Sequence, residues 1–164
     1  MQIELRDIFI TDGSHLPVSL SLDLSDTEIS GYYPLTTPVS FDGGVYNHAG
    51  AVTLEGSAQY GYTAPCDRCG TECTERGRVD IYYTLVTSAS GDDNDDYLVI
   101  LDYKLEVDSV IRSDVLLSLP TKHLCKPECR GLCSSCGMNL NLGSCSCNDG
   151  DDNPFANALS EFMS

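Results

Sequence analysis

Tryptophan is absent from this chain of 164 residues, and bases are scarce: nine Lys and Arg stand against 25 Asp and Glu. The formal net charge of −16 gives a field that repels polyphosphates, which argues against tight binding of naked RNA by bulk charge. No apolar run approaches the ~20 residues needed to cross a bilayer as a helix. The first ten residues, MQIELRDIFI, carry acids among their apolar side chains and lack the basic start and apolar run of a secretory signal. Phosphate-binding loops, a nucleophile elbow and paired catalytic carboxylates are missing as well. The three histidines, His15, His48 and His123, are scattered, and His123 alone lies near cysteines. These absences predict a cytoplasmic protein with no membrane partner and no small-molecule substrate.

Cysteine, by contrast, is plentiful. Six of the nine fall in one segment, CKPECRGLCSSCGMNLNLGSCSC, from Cys125 to Cys147. A reducing cytosol disfavours structural disulfides, and an odd count cannot pair completely. A metal is the better reading. Zn2+ takes four thiolates in a tetrahedron, and a C-x2-C turn points two sulfurs at one centre. Glycine after the second cysteine lets such a turn close.

That turn occurs twice, as PCDRCG with Cys66 and Cys69 and as LCSSCG with Cys133 and Cys136. Cys145 and Cys147 follow the second turn, completing C-x2-C-x8-C-x-C, a four-sulfur set within fifteen residues. A second set needs four of Cys66, Cys69, Cys73, Cys125 and Cys129. Both Cys66-Cys69 and Cys125-Cys129 flank the body of the protein, so these four are expected to join and Cys73 is the spare. Two Zn2+ sites are predicted. The alternatives are one site beside a cluster of free thiols, or His123 as a ligand in place of Cys125.

Ahead of the cysteines the pattern is β-rich. Gln2 to Ile10 reads as a strand. His15 to Leu24 alternates Val18, Leu20, Leu22 and Leu24 with polar residues, the period of a half-buried strand. Val39 to Tyr46 and Ala51 to Tyr62 read as strands joined by a turn at Asn47 to Gly50. Arg78 to Thr87 and Tyr97 to Leu101 are two more, separated by the acidic SGDDNDD, which reads as a loop. Val107, Val110, Ile111, Val115, Leu116 and Leu119 recur at helical spacing until Pro120 stops them. Asn153-Pro154 opens a short closing helix with Phe155, Leu159 and Phe162 on one face. The predicted fold is α+β: a β-rich antiparallel body with one long helix over residues 1–120, then a zinc-ribbon-like cysteine-rich tail over 121–164 that ends in a short helix.

Charge is unevenly distributed along this frame. Residues 1–60 hold eight acids and Arg6 alone as a base. Six of the nine bases sit beside cysteines: Arg68, Arg76, Arg78, Lys122, Lys126 and Arg130. Their simplest role is to offset thiolate charge. Arg68, Lys122, Lys126 and Arg130 are also the candidates for contact with a partner.

With these motifs in place, the sequence resembles the YceD family of large ribosomal RNA subunit accumulation proteins. The C-x-R-C motif appears in PCDRC, and LLSLPTKHLC supplies an apolar helix ending in Leu-Pro before a cysteine. The segment Cys125 to Cys147 with the following DNPFANAL is similar to the form common in Gram-positive bacteria. Two positions depart from the pattern. Gly70 stands where a hydrophobic residue usually follows C-x-R-C, and Asn153 replaces an acid before Pro154.

The resemblance implies a bacterial, non-enzymatic factor in ribosome biogenesis that supports accumulation of large-subunit rRNA. Its acidity favours a large-subunit ribosomal precursor approached through a basic ribosomal protein over naked rRNA. The competing expectation is a thiol- or zinc-dependent enzyme of oxidoreductase type using Cys66-x-x-Cys69. It is disfavoured because that pair falls between two strands, with no helix N-terminus to depress a thiol pKa.

Overall fold

The computed structural model describes residues 1–88 and 97–147. The acidic SGDDNDD stretch and the expected closing helix at Pro154 lie outside these residues. The elements run β1 (Gln2–Glu4), α1 (Arg6–Ile10), β2 (His15–Leu22), β3 (Val39–His48), β4 (Ala51–Pro65), β5 (Glu72–Val86), β6 (Tyr97–Val99), β7 (Lys104–Glu106) and α2 (Val107–Ser118). The result is a mixed α+β fold with a strand-rich body and few helices.

The main sheet has five strands in the order β2-β3-β4-β5-β6, and β1 pairs with β7 in a separate ribbon. Strand alternation puts Val18, Phe41, Val45, Leu54, Ala58, Ile81 and Leu85 on the inner face, where all are buried. Ser19, Asp42, Ser57 and Arg78 take the outer, solvated face, and the Ser19 hydroxyl donates to Asp42 at 2.8 Å. The Phe41 ring lies across the inner side of Gly56, where a Cβ would come within 2.6 Å of it. Two strands that alternate in this way can cover only one face with water, so the other must be covered by apolar elements.

α2 supplies part of that cover, with Leu5, Leu24, Leu35, Ile100 and Leu105. Its twelve residues match the predicted helix, and Val107, Ile111 and Val115, spaced four apart, are its buried positions. The helix is tied down by polar contacts at its edges. Tyr83 donates to Asp114 at 2.7 Å, and the Tyr60 hydroxyl meets Ser118 Oγ at 2.8 Å. At three turns it is of ordinary length rather than long.

Two strand expectations need correction. Gln2 to Ile10 is not one strand: pairing stops at Glu4, and Arg6–Ile10 forms a short helix. Leu5, Ile8 and Phe9 stand three and four apart, so after Leu5 the helical period overrides the alternation that Ile3 and Leu5 begin. Leu5 is fully buried, and Ile8 and Phe9 pack against the core. Buried Asn47 pins this helix, its amide donating to the Ile8 carbonyl at 2.7 Å. The body is also not wholly antiparallel, because β6 runs parallel to β5 with Thr84 opposite Tyr97. Ten residues, 87–96, separate the two strands in sequence, far more than a two-residue hairpin uses.

The β3–β4 turn falls within the expected span of Asn47 to Gly50. His48 pairs with Ala51, leaving Ala49 and Gly50 as a two-residue loop, both at positive φ (53° and 86°). β4 and β5 outrun their predicted limits and pair over fourteen positions, from Val52↔Leu85 to Pro65↔Glu72. This long hairpin carries its tip, residues 66–71, to the tail.

Phe41 anchors the inner face, so Phe41→Ala is expected to lower stability by about 3–5 kcal/mol. Ser57→Ala on the outer face is expected to stay within about 0.5 kcal/mol of the parent. Urea unfolding followed by circular dichroism distinguishes the two.

Candidate metal centres

The β4–β5 tip and the segment after Cys133 fold into the same small structure. In the first, Gly70 N–H donates to the Cys66 carbonyl at 2.8 Å and Cys66 N–H to the Thr71 carbonyl at 2.9 Å. In the second, Gly137 N–H donates to the Cys133 carbonyl at 2.9 Å and Cys133 N–H to the Met138 carbonyl at 2.8 Å. Gly70 and Gly137 take matching left-handed conformations (φ 68° and 71°), which a side chain would strain. The glycine after each C-x2-C pair thus closes the turn that aims both sulfurs at one point.

Two groups of four cysteines result: Cys66, Cys69, Cys125 and Cys129, and Cys133, Cys136, Cys145 and Cys147. Within each group all Sγ atoms lie within 4.8 Å of one another. Cys66 Sγ is 3.7 Å from Cys129 Sγ, and Cys69 Sγ is 3.6 Å from Cys125 Sγ. Four sulfurs at about 2.3 Å from a tetrahedral Zn2+ stand about 3.8 Å apart. The spacing therefore fits a metal ion, and it is far too long for disulfides.

Every residue read as a ligand falls in one of these groups, and the two sets are those expected from spacing. Cys73 lies outside both, its thiol donating to the Thr71 carbonyl at 3.2 Å. His123 is in neither group. It is buried, its ring edge-on to Tyr62 at 5.2 Å.

The thiol pKa values suit cation binding. A backbone N–H at Cys125, helped by those of Arg68 and Cys69, holds Cys66 down at about 6 against burial. The hydroxyl and N–H of Thr71 lower Cys69. Burial first, then the neighbouring thiols of Cys129, Cys69 and Cys66, push Cys125 up to about 12. The second group repeats the division. Backbone N–H groups of Cys136 and Ser135 hold Cys133 at about 6, while Cys147 is pushed up to about 12 by the Cys136 thiol and by burial. Each set can form a thiolate readily, but crowding opposes full ionisation, and a dication removes that opposition.

The first group joins segments more than fifty residues apart, and backbone contacts reinforce it. Asp67 N–H donates to the His123 carbonyl at 2.9 Å, and His123 N–H returns a bond to Asp67 Oδ2 at 2.7 Å. Arg68 donates through Nη1 to the Cys129 carbonyl at 2.8 Å and accepts from Leu132 N–H at 3.1 Å. Of the cations proposed for partner contact, Arg68 is thus partly engaged within the fold. Lys122, Lys126 and Arg130 are exposed, and none of the four enters an ion pair among the described residues.

Several supporting residues escaped the reading of the sequence. Asp67, Thr71 and Gly131 carry no local signal of their role. Asn139 and Asn141 were visible only as part of the N-L-N between the C-x2-C and C-x-C pairs. Asn141 donates through Nδ2 to Cys129 Sγ at 3.2 Å and accepts from Arg130 N–H at 2.9 Å.

A family model described as "Large ribosomal RNA subunit accumulation protein YceD" matches residues 54–162, well over half of the chain and inclusive of all nine cysteines. Among curated proteins, the maize "Large ribosomal RNA subunit accumulation protein YCED homolog 1, chloroplastic" is 38% identical over 47 residues. That match spans 28% of this chain and 16% of the maize protein. No solved structure matches.

Gly131 has φ 76°, and a Cβ there would stand 3.1 Å from the Arg68 carbonyl oxygen, the same atom that accepts from Leu132. Gly131→Ala is therefore expected to loosen the tail from the hairpin tip at a cost of about 1–3 kcal/mol. Limited proteolysis should show faster cleavage between residues 120 and 147, with the body intact.

Proposed function

This chain belongs to the YceD family of large ribosomal RNA subunit accumulation proteins, and we propose that it acts as a non-enzymatic factor in ribosome biogenesis with two structural Zn2+ ions. The observation that carries this reading is the pair of closed four-cysteine groups. Four thiolates fill a tetrahedral ion and leave no position for water or substrate. Zinc here supplies cross-links: the first ion joins the hairpin tip to the tail, and the second closes the tail on itself. Residues 1–120 form the body and residues 121–164 a tail whose fold depends on metal.

The competing enzyme reading needs reachable thiols at Cys66 and Cys69. Both are buried, at 3% and 7% exposure, and each faces another cysteine sulfur. The lowered pKa of Cys66 suits a metal ligand as well as a nucleophile. Burial favours the ligand.

Charge points to the partner. Eight thiolates and two dications together add four negative charges, taking −16 to about −20. Such a protein attracts a basic ribosomal protein more strongly than naked large-subunit rRNA, and it works in the cytoplasm where precursors assemble. Lys122, Lys126 and Arg130, with the outer part of Arg68, are exposed cations within a few residues of the first cysteine group in sequence. Three or four phosphate contacts there would give a weak, salt-sensitive attraction.

Metal analysis of purified protein is expected to find two Zn2+ per chain. Cys136→Ser should lose one or both ions and become protease-sensitive after Leu119, whereas Cys73→Ser keeps both. Two ions retained in Cys136→Ser would refute the ligand assignment. For the partner, binding to purified large-subunit proteins should exceed binding to naked large-subunit rRNA and weaken with salt. Tight rRNA binding that is abolished by reversing Lys122, Lys126 and Arg130 would instead make the tail an RNA-binding module.

A further inference from the structure

The two metal groups touch through one side chain. Asn141 lies in the eight-residue return between Cys136 and Cys145 of the second group, yet its amide donates to Cys129 Sγ of the first at 3.2 Å. The side chain is held from both ends. Its Oδ1 accepts from Arg130 N–H at 2.9 Å, its Nδ2 also donates to Asn139 Oδ1 at 2.9 Å, and the Asn141 backbone N–H donates to the same oxygen at 3.0 Å. Asn139 in turn reaches Thr71 Oγ1 at 3.4 Å, beside Cys69 Sγ at 3.3 Å from the same hydroxyl.

This return segment has no apolar core to hold it: none of residues 137–144 is buried, with Leu142 88% and Met138 37% exposed. Its backbone bonds are local: besides the two that close the Cys133–Gly137 turn, Leu140 N–H donates to Gly131 O at 2.9 Å and Leu142 N–H to Asn139 O at 3.1 Å. Ligation at Cys133, Cys136, Cys145 and Cys147 pins both ends of the segment, and Asn141 sits between them.

We propose that Asn141 is a positioning residue that couples the two sites: metal in the second group orders residues 139–141, and the ordered Asn141 amide then holds the Cys129 sulfur in place to receive metal in the first. This rests on the metal-binding reading above. N–H donors to a ligand atom fix its orientation, and loss of such outer partners weakens metal binding about 10–100-fold. Linkage makes the effect mutual, so metal in the first group strengthens the second by the same factor. The protein then loads and releases its ions together, and a tail stripped at its outer site also loosens from the body.

The test uses the full-length protein with 113Cd2+, whose two four-sulfur sites give separate NMR resonances assigned through Cys66→Ser and Cys136→Ser. Affinity at each site is read by competition with a chelator. Cys136→Ser is expected to weaken Cd2+ at the first site about 10–100-fold, and Cys66→Ser to weaken the second equally. Asn141→Asp keeps the shape and the acceptor for Arg130 N–H but sets an oxygen against the sulfur. It should weaken the first site at least as much, shift that site's resonance and leave the second resonance in place. Asn141→Ala should do the same without the added charge.

First-site affinity that is unchanged in Cys136→Ser overturns the coupling. Unchanged affinity in both Asn141 variants overturns the role of Asn141. Absence of bound Cd2+ in the parent protein would instead overturn the metal reading itself, and the coupling with it.

Discussion

Cys66 and Cys69 meet Cys125 and Cys129 across a gap of more than fifty residues, and the placement of the whole tail depends on that meeting. An apolar core cannot do the same work there. The cluster at the junction consists of Cys66, Cys69 and Cys129, with Cys73, Leu124 and Cys125 packed at its edge. Below a certain core size, small structures need a staple, and thiolate–metal bonds are one that survives a reducing compartment. The long β4–β5 hairpin is the other half of the device, because a rigid fourteen-pair ladder carries the first C-x2-C turn out to where the chain returns from α2.

Much of this could be read from residue types and spacing. The helix from Val107 to Ser118 was visible because its buried residues keep a 3.6 period and Pro120 ends it. The ligand sets were visible because two C-x2-C-G turns need partners, and Cys145-Cys147 and Cys125-Cys129 stand where partners should. Failures came where local pattern was ambiguous or where a role exists only in three dimensions. Ile3 and Leu5 start a strand alternation, but Leu5, Ile8 and Phe9 finish it as a helix. The parallel pairing of β6 depends on a connection whose course no local pattern encodes. Thr71, Gly131 and Asn141 act on atoms 60 residues away or in another turn, so nothing beside them announces it.

Charge and metal ligation are linked more closely than composition alone suggests. Backbone N–H groups lower Cys66 and Cys133 to about 6, and Thr71 lowers Cys69 as well, so each group holds at least one thiol that ionises more readily than a free one. Cys125 and Cys147, pushed up to about 12, do not ionise near neutral pH without help. The division follows from geometry. Sulfurs less than 4 Å apart repel as thiolates, so the first to ionise raises the cost for the rest. A bound dication reverses the sign of that interaction, and acidification opposes it by restoring protons to the ligands.

A four-thiolate site carries a charge of −2, yet the bases nearest these sites do not cancel it by direct pairing. Arg68 spends one bond on the Cys129 carbonyl, and Lys122, Lys126 and Arg130 remain exposed. Acids crowd the body instead, and the polar outer face of the sheet pairs its own charges, Arg78 with Asp80 at 3.0 Å. The molecule is therefore electrostatically two-ended. Its body carries most of the acids, while Arg68, Lys122, Lys126 and Arg130 lie close in sequence to the first cysteine group and form no ion pair among the described residues. A precursor particle presents both chemistries at once, RNA and basic protein side by side. Under the proposed metal binding, the first cysteine group would fix body and tail relative to each other and hold these two surfaces at a set separation.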